Sequence, residues 1–322
     1  MDHRTRLSHW ARHGAGLPQA VATLGAALVG LGVVFWVAAN WQHWPPMAQF
    51  AILQGAWLAF CLGAAQRPTW RTPLAVVAFA VLGGLLACFG QTYQTGADPW
   101  TLFAGWAVLG LPLCLAVRRD GLWAAWALVT MTGVSLWWQT WQGPLWRAAG
   151  DWGPMWLAWG VGAALSLALH PTLHAAWARW TGSGRVAWLT ALLLTLVMLG
   201  AGTLVALVGS SQAGPWADTW TGAWAVAVLL LAGLMGATVR ARPRDVAALS
   251  AQALLGNVLV IGALAKLLFQ GARSGDLGAF LLIGVVAMGL LAATVTWILR
   301  WARADHSDQA GDAATGQPGG AT

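Results

Sequence analysis

Four aspartates, Asp98, Asp151, Asp218 and Asp276, each stand in a short polar stretch between two apolar runs. The first three have a tryptophan within two residues: Trp100 beside Asp98, Trp152 beside Asp151, and Trp216 and Trp220 flanking Asp218. A carboxylate next to an aromatic face can hold a cation, a sugar or a lipid headgroup. A carboxylate in a water-poor site can also serve as a general base. The plainer reading is a set of helix caps inside an aromatic belt. It rests on Trp41, Trp44, Trp138, Trp141 and Trp146, which fall at the same level between apolar runs. The stretch GQTYQTGADPW, Gly90 to Trp100, adds Gln91 and the only tyrosine of the chain, Tyr93.

Other chemistry is sparse. No phosphate-binding loop, dinucleotide glycine motif or serine elbow is present, and with no glutamate in the chain a helix-borne zinc-protease motif cannot form. His170 and His174 have the i, i+4 spacing of a metal pair, but Pro171 separates them and no carboxylate or cysteine is near. They read as interfacial polar residues, as do His9 and His13. Cys61, Cys88 and Cys114 each lie inside an apolar run and read as small packing side chains. No metal and no cofactor is expected.

The elements that must position these residues follow from composition. Of 322 residues, 58% are hydrophobic and 8% are charged. A soluble domain carries about 25% charge. One this poor in charge would expose large apolar patches, so the expected fold is all-α, a polytopic integral membrane protein. A helix needs about 20 apolar residues to cross the hydrocarbon core. Ten runs qualify, at about 19–39, 47–65, 73–91, 100–117, 122–140, 154–170, 186–209, 217–239, 246–268 and 277–299. The domain plan is a short cytoplasmic segment at 1–18, a helical membrane domain at 19–299 and a polar tail at 300–322.

The charge pattern sets an orientation. Arg4, Arg6 and Arg12 precede the first run, and every second connection is basic: Arg67 with Arg71, Arg118 with Arg119, Arg179 with Arg185, and Arg240, Arg242 and Arg244. Arg300 and Arg303 follow the last run; only Arg147, Arg273 and Lys266 fall on the other side. Positive charge stays in the cytoplasm, so both termini are expected there, in a bacterial inner membrane. The net charge of +7 is thereby explained without nucleic acid. Val37-Ala38-Ala39 has the small residues of a signal cleavage site, but the run before it is longer than a signal peptide needs, so it is read as a retained span.

Finer features complete the expectation. Small residues at four-residue spacing, Ala22, Ala26 and Gly30 in the first span, Ala80, Gly84 and Cys88 in the third, and Gly233 and Ala237 in the eighth, should let helices approach closely. Gln54, Gln252 and Asn257 should bond neighbouring helices, and Lys266 should snorkel to headgroups. The segment RTRLSHWARHG, with Leu7 and Trp10, fits a short interfacial helix. The tail from Ala304 is too polar to offset its ordering entropy. Asp98-Pro-Trp100-Thr101 and Asp218-Thr-Trp220-Thr221 echo each other, as two halves of a repeat would.

One set of residues carries a resemblance. Gly90-Gln91-x-Tyr93, then Gly96, Asp98, Phe103 and Trp106, follows the glycine-rich run GAALVGLGVVFWVAAN with Asn40-Trp41 and Pro45. Leu7, Trp10 and Gly14 stand before it. Together they resemble the bacterial membrane proteins grouped as domain of unknown function 2157 (DUF2157), over about residues 7–140. The resemblance implies a location and a fold type rather than a reaction. Members of that family are often encoded beside other small membrane proteins, which implies a complex. They often carry a longer soluble segment before the first span than the roughly 18 residues here, so any function of that segment does not transfer. The second half, after about residue 150, has no counterpart in this resemblance.

Three functions remain open on these residues. One is a non-catalytic envelope component that partners the bilayer and other small membrane proteins. Another is a transporter or channel for a lipid, glycan precursor or small solute. The third is a membrane enzyme using outer-face aspartates. The candidate outer-face site for a ligand or a partner is Asn40, Trp41, Gln91, Tyr93, Asp98, Trp100, Trp106, Asp151, Asp218 and Asp276. Nothing in the composition sets an oligomeric state.

Overall fold

Lipid offers no partner for a backbone amide, so an apolar run of membrane length is held to a helix. The computed structural model describes residues 16–40, 43–93, 96–142, 153–209, 219–241, 245–269 and 277–315, and nearly all of them are helical, with no strand among them. The helices are α1 (Gly16–Ala39), α2 (Pro46–Gln66), α3 (Arg71–Thr92), α4 (Pro99–Val117), α5 (Asp120–Gln142), α6 (Gly153–Ala168), α7 (Ala175–Thr181), α8 (Arg185–Gly209), α9 (Thr219–Arg240), α10 (Val246–Phe269) and α11 (Leu277–Thr315). The all-α membrane fold read from composition is thereby borne out.

Among the described residues, eight helices are long and apolar enough to cross a membrane: α1, α2, α3, α4, α8, α9, α10 and α11. The fifth and sixth expected spans correspond to α5 and α6. Helix α5 has 23 residues but mixes Thr, Ser, Gln and five Trp into its apolar run, and α6 has only 16. Helix starts obey local rules. α2 and α4 open on Pro46 and Pro99, whose missing N–H is no loss in the first turn. Asp245 caps α10, accepting from the Ala247 and Ala248 amides at 3.0 and 3.2 Å. Asp98 holds the same position before α4, yet its side chain makes no cap bond. Helix α11 continues to Thr315, past Ala304, where composition alone favours disorder. Its alanine-rich continuation satisfies its own backbone within the helix.

The chain divides into two units, Met1–Thr140 with Leu169–Ala191, and Trp141–Ala168 with Leu192–Thr322. In the first, α3 packs against α1, α2 and α4. Its Ala75, Val76, Val77, Ala78, Phe79 and Val81 are all buried, so it is apolar around its circumference. The small-residue faces meet as expected. A methyl on Gly30 would stand 2.8 Å from Ala80 Cβ, and one on Gly84 would stand 2.7 Å from Val34. Aromatic rings fill further glycine notches: Trp106 lies on Gly83, at 2.5 Å from where a Cβ would be, and Phe79 lies on Gly110.

The second unit repeats the device. Trp159, fully buried, sits on Gly202 and donates its indole N–H to the Met198 carbonyl at 3.2 Å. Helix α10 is the hub and uses polar side chains as clips. Gln252 donates to Thr238 of α9 at 3.0 Å, and Asn257 pairs with Thr294 of α11 at 3.1 Å. Lys266, in the last turn of α10, donates its Nζ to the Leu207 carbonyl at 2.8 Å, in the last turn of α8, where the helix dipole is negative. Gln54 is exposed, and Gly233 faces open space, so neither joins helices as expected. The three cysteines are free.

The Trp159 contact predicts a graded response. Trp159→Phe keeps an aromatic ring but removes the bond and part of the buried indole volume, and should cost about 1–3 kcal/mol. Gly202→Leu must displace the ring and should cost about 1–3 kcal/mol. Gly233→Leu should change little. Detergent-induced unfolding in bicelles, followed by circular dichroism, checks all three.

Candidate functional site

The expected vestibule lies at the end of the first unit where α1 and α3 finish and α2 and α4 begin. Asn40 closes α1 and turns its side-chain amide back onto the Trp36 carbonyl at 2.8 Å, a local use of its donor. Gln91 is exposed in the last turn of α3. Tyr93 caps that helix, 61% exposed, with its ring 4.8 Å from Phe89 and 6.4 Å from Phe50. Asp98 is exposed, and its carbonyl accepts from the Thr101 hydroxyl at 2.7 Å. Trp100 is half-buried in the first turn of α4. Trp41, Asp151, Asp218 and Asp276 lie outside the described residues, as do Leu7, His9, Trp10, His13, Gly14, Arg147, Trp146, Trp152, Trp216 and Arg273.

Among the described residues no hydrogen bond joins Asn40, Gln91, Tyr93 and Asp98 to one another. Trp106 does not belong with them. Its indole N–H donates to the Phe79 carbonyl at 2.8 Å, and its ring is stacked against Phe79 and Phe103 at 5.3 and 6.0 Å. It is a bolt between α3 and α4. The reason is the notch at Gly83, which admits a ring where any other residue would exclude it.

Beneath this rim is a polar node that the sequence did not single out. Gln49, 1% exposed, donates its Nε2 to the Trp44 carbonyl at 3.1 Å, and Cys88 Sγ lies 3.8 Å from its Oε1. Trp44 in turn packs edge-on against Trp36 at 4.9 Å. The node fixes the α1–α2 connection against α3. The signal for it was a glutamine in the first turn of α2, at the position where the helix faces a cysteine of α3.

The opposite end of the first unit holds its densest polar geometry. Asp120 begins α5, and its carboxylate reaches across to the start of α8. Oδ1 accepts from the Gly184 and Ala187 amides at 2.8 and 2.9 Å, and Oδ2 from the Val186 amide at 2.8 Å. A carboxylate on three helix N-terminal amides is a charge-assisted cap. Trp123 donates to the Thr181 carbonyl at 2.9 Å, one turn along. Gly182 closes α7 with φ +71° and lies directly on the Arg118 backbone, leaving no room for a side chain. Arg118 itself is left-handed, φ +53°, and donates its Nε to the Leu115 carbonyl at 3.2 Å. His170, 3% exposed, has its ring 4.5 Å from Trp188 and its Nδ1 3.3 Å from the Thr172 hydroxyl, while His174 is exposed. The i, i+4 histidines therefore serve a packed turn. Among the described residues, no three His, Cys, Asp or Glu side chains form a set that could hold a metal.

Residues 2–123 match the model of the family described as predicted membrane protein (DUF2157). The resemblance read from the motifs is thus supported, and its limit is Trp123 rather than residue 140. No curated protein and no solved structure matches the chain. The matched part includes Asp120 and Trp123 but ends before the amides and the carbonyl that they bind.

These contacts separate structural from surface residues. Asp120→Ala should lower stability by about 2–3 kcal/mol, because it leaves three amides without their charged acceptor. Asp120→Asn, which keeps one acceptor oxygen, should recover part of that. Asp98→Ala should change stability by less than about 0.5 kcal/mol. Thermal unfolding in detergent distinguishes the three.

Proposed function

We propose that a multi-pass membrane protein similar over residues 2–123 to the DUF2157 family is a non-catalytic component of the cell envelope that partners other membrane proteins. The observation that carries this reading is the state of the rim residues. Gln91, Tyr93 and Asp98 are exposed, while Asn40 and Trp106 are engaged in bonds to helix carbonyls. Exposed polar and aromatic groups outside the apolar layer suit contact with another protein. Transport usually calls for ionisable groups inside the membrane, and here Gln252, Asn257 and Lys266 each bond a neighbouring helix. We place the chain in a bacterial inner membrane with both termini cytoplasmic, so that the rim faces the periplasm.

A photo-crosslinking amino acid at Tyr93 or Gln91, introduced in the native host, should yield a discrete adduct with another membrane protein. The same probe at Ala78, which is fully buried, should yield none. Lipid adducts alone at Tyr93 would contradict the reading. In intact cells, a tag at Asp98 should react with a membrane-impermeant label and a tag at Arg119 should not; the reverse would invert the orientation.

A further inference from the structure

The end of the first unit that carries Asp120 also gathers exposed cations and exposed indoles. Gly121 faces the methyls of Thr23 and Thr72, which places the starts of α1, α3 and α5 together. The Asp120 bonds bring the start of α8 to the same place. Around it, Arg67, Arg118, Arg119 and Arg179 are exposed. So are Trp70 at 56%, Trp177 at 50%, Trp180 at 50% and Leu173 at 42%. The Arg118 guanidinium stands 5.5 Å from the centroid of the Trp180 ring.

Charge at this end is strongly positive. Among the described residues, the first unit has two acids, and Asp98 is at the far end of α4. Asp120 is then the one described carboxylate of the unit at this end, against Arg67, Arg71, Arg118, Arg119, Arg179 and Arg185. The surface is also built rather than loose. Trp123 holds the Thr181 carbonyl, the Thr181 and Ser183 hydroxyls bond at 2.9 Å, and Gly182 is pressed on the Arg118 backbone. The segment from Leu173 to Trp180 is thereby held with its indoles outward beside fixed guanidinium groups.

We propose that this end of the first unit is a seat for acidic phospholipid headgroups, with Arg118 and Arg179 meeting the phosphoryl group and Trp177 and Trp180 lying at the acyl boundary. The chemistry matches. Guanidinium is the planar donor suited to phosphate oxygens, and indole settles where one edge is apolar and the other wet. Arg179, Trp177 and Trp180 share α7, and Gly182 at its end is pressed on the Arg118 backbone, so little ordering is needed when a headgroup binds. The seat is independent of the rim at the other end and of any protein partner there.

The test uses the full chain in phosphatidylcholine bilayers, with spin-labelled phosphatidylglycerol and spin-labelled phosphatidylcholine as probes. The wild type should favour the phosphatidylglycerol label. Arg118→Asn with Arg179→Gln, the asparagine chosen because it tolerates the left-handed backbone, should reduce that preference by about two- to fivefold. Trp177→Ser with Trp180→Ser, at exposed positions, should also reduce it and provides a second reading where the arginine pair disturbs folding. Arg300→Gln with Arg303→Gln, which removes the same charge elsewhere, should leave it in place. An undiminished preference in the folded arginine or tryptophan pair would overturn the seat. An equal loss in the Arg300 and Arg303 pair would reduce it to net charge. Displacement of the label by millimolar inorganic phosphate would reassign the site to a soluble anion and overturn it as well.

Discussion

Helices in a bilayer gain nothing from hiding apolar surface, because the lipid is as apolar as they are. They hold together only where backbones come close or where a polar group has a partner that lipid cannot supply. This chain meets both conditions with one pair of residue types. Glycine opens a notch, an aromatic ring enters it, and where the ring is an indole its N–H finds a carbonyl of the facing helix. Trp106 on Gly83 with the Phe79 carbonyl and Trp159 on Gly202 with the Met198 carbonyl are the two full examples, one in each unit. Trp126 to Ala107 and Trp224 to Leu259 use the bond alone, at 2.8 and 3.0 Å. A chain with 25 tryptophans and 40 glycines has the material for this throughout. Among the described residues, the indoles of Trp106, Trp123, Trp126, Trp159 and Trp224 each donate to a carbonyl of another element.

The Asp120 lock applies the same principle where the helices meet polar surroundings. The first amides of α8 have no helical acceptor. Water could serve them, but a carboxylate on another helix serves them and also fixes where α8 begins. The end stays strongly basic all the same, because among the described residues of the first unit Asp120 is the one carboxylate there, against Arg67, Arg71, Arg118, Arg119, Arg179 and Arg185.

Legibility in the sequence followed the range of the interaction. Helix positions, the proline starts and the four-residue stripes of α1 and α3 depend on near neighbours in the chain and were readable. The assignment of caps was only partly so. Asp98 has the right position before α4 but makes no side-chain bond, whereas Asp245 caps its own helix and Asp120 caps one that starts 65 positions later, at Arg185. No periodicity marks a partner that distant. The partner of Lys266 was hidden for a related reason: the Leu207 carbonyl that its Nζ meets belongs to a helix 59 positions earlier in the chain. Trp106 stood inside a surface motif by sequence and belongs to the packing, because its direction is set by a glycine on a different helix.

The polar residues of α10 bear on how a function should be sought. A conduit needs polar groups that face a common space and can exchange partners. Here Gln252 turns to α9, Asn257 to α11 and Lys266 to α8, so three bonds point in three directions from one helix. Such an arrangement sets the register of each neighbour independently, and breaking one bond leaves the others in place. Exposed side chains that could engage something outside the molecule stand at both ends of the first unit. At one end they are neutral and acidic, at the other basic and aromatic. A protein contact at the first and a lipid contact at the second would anchor a partner against the membrane without either site having to move.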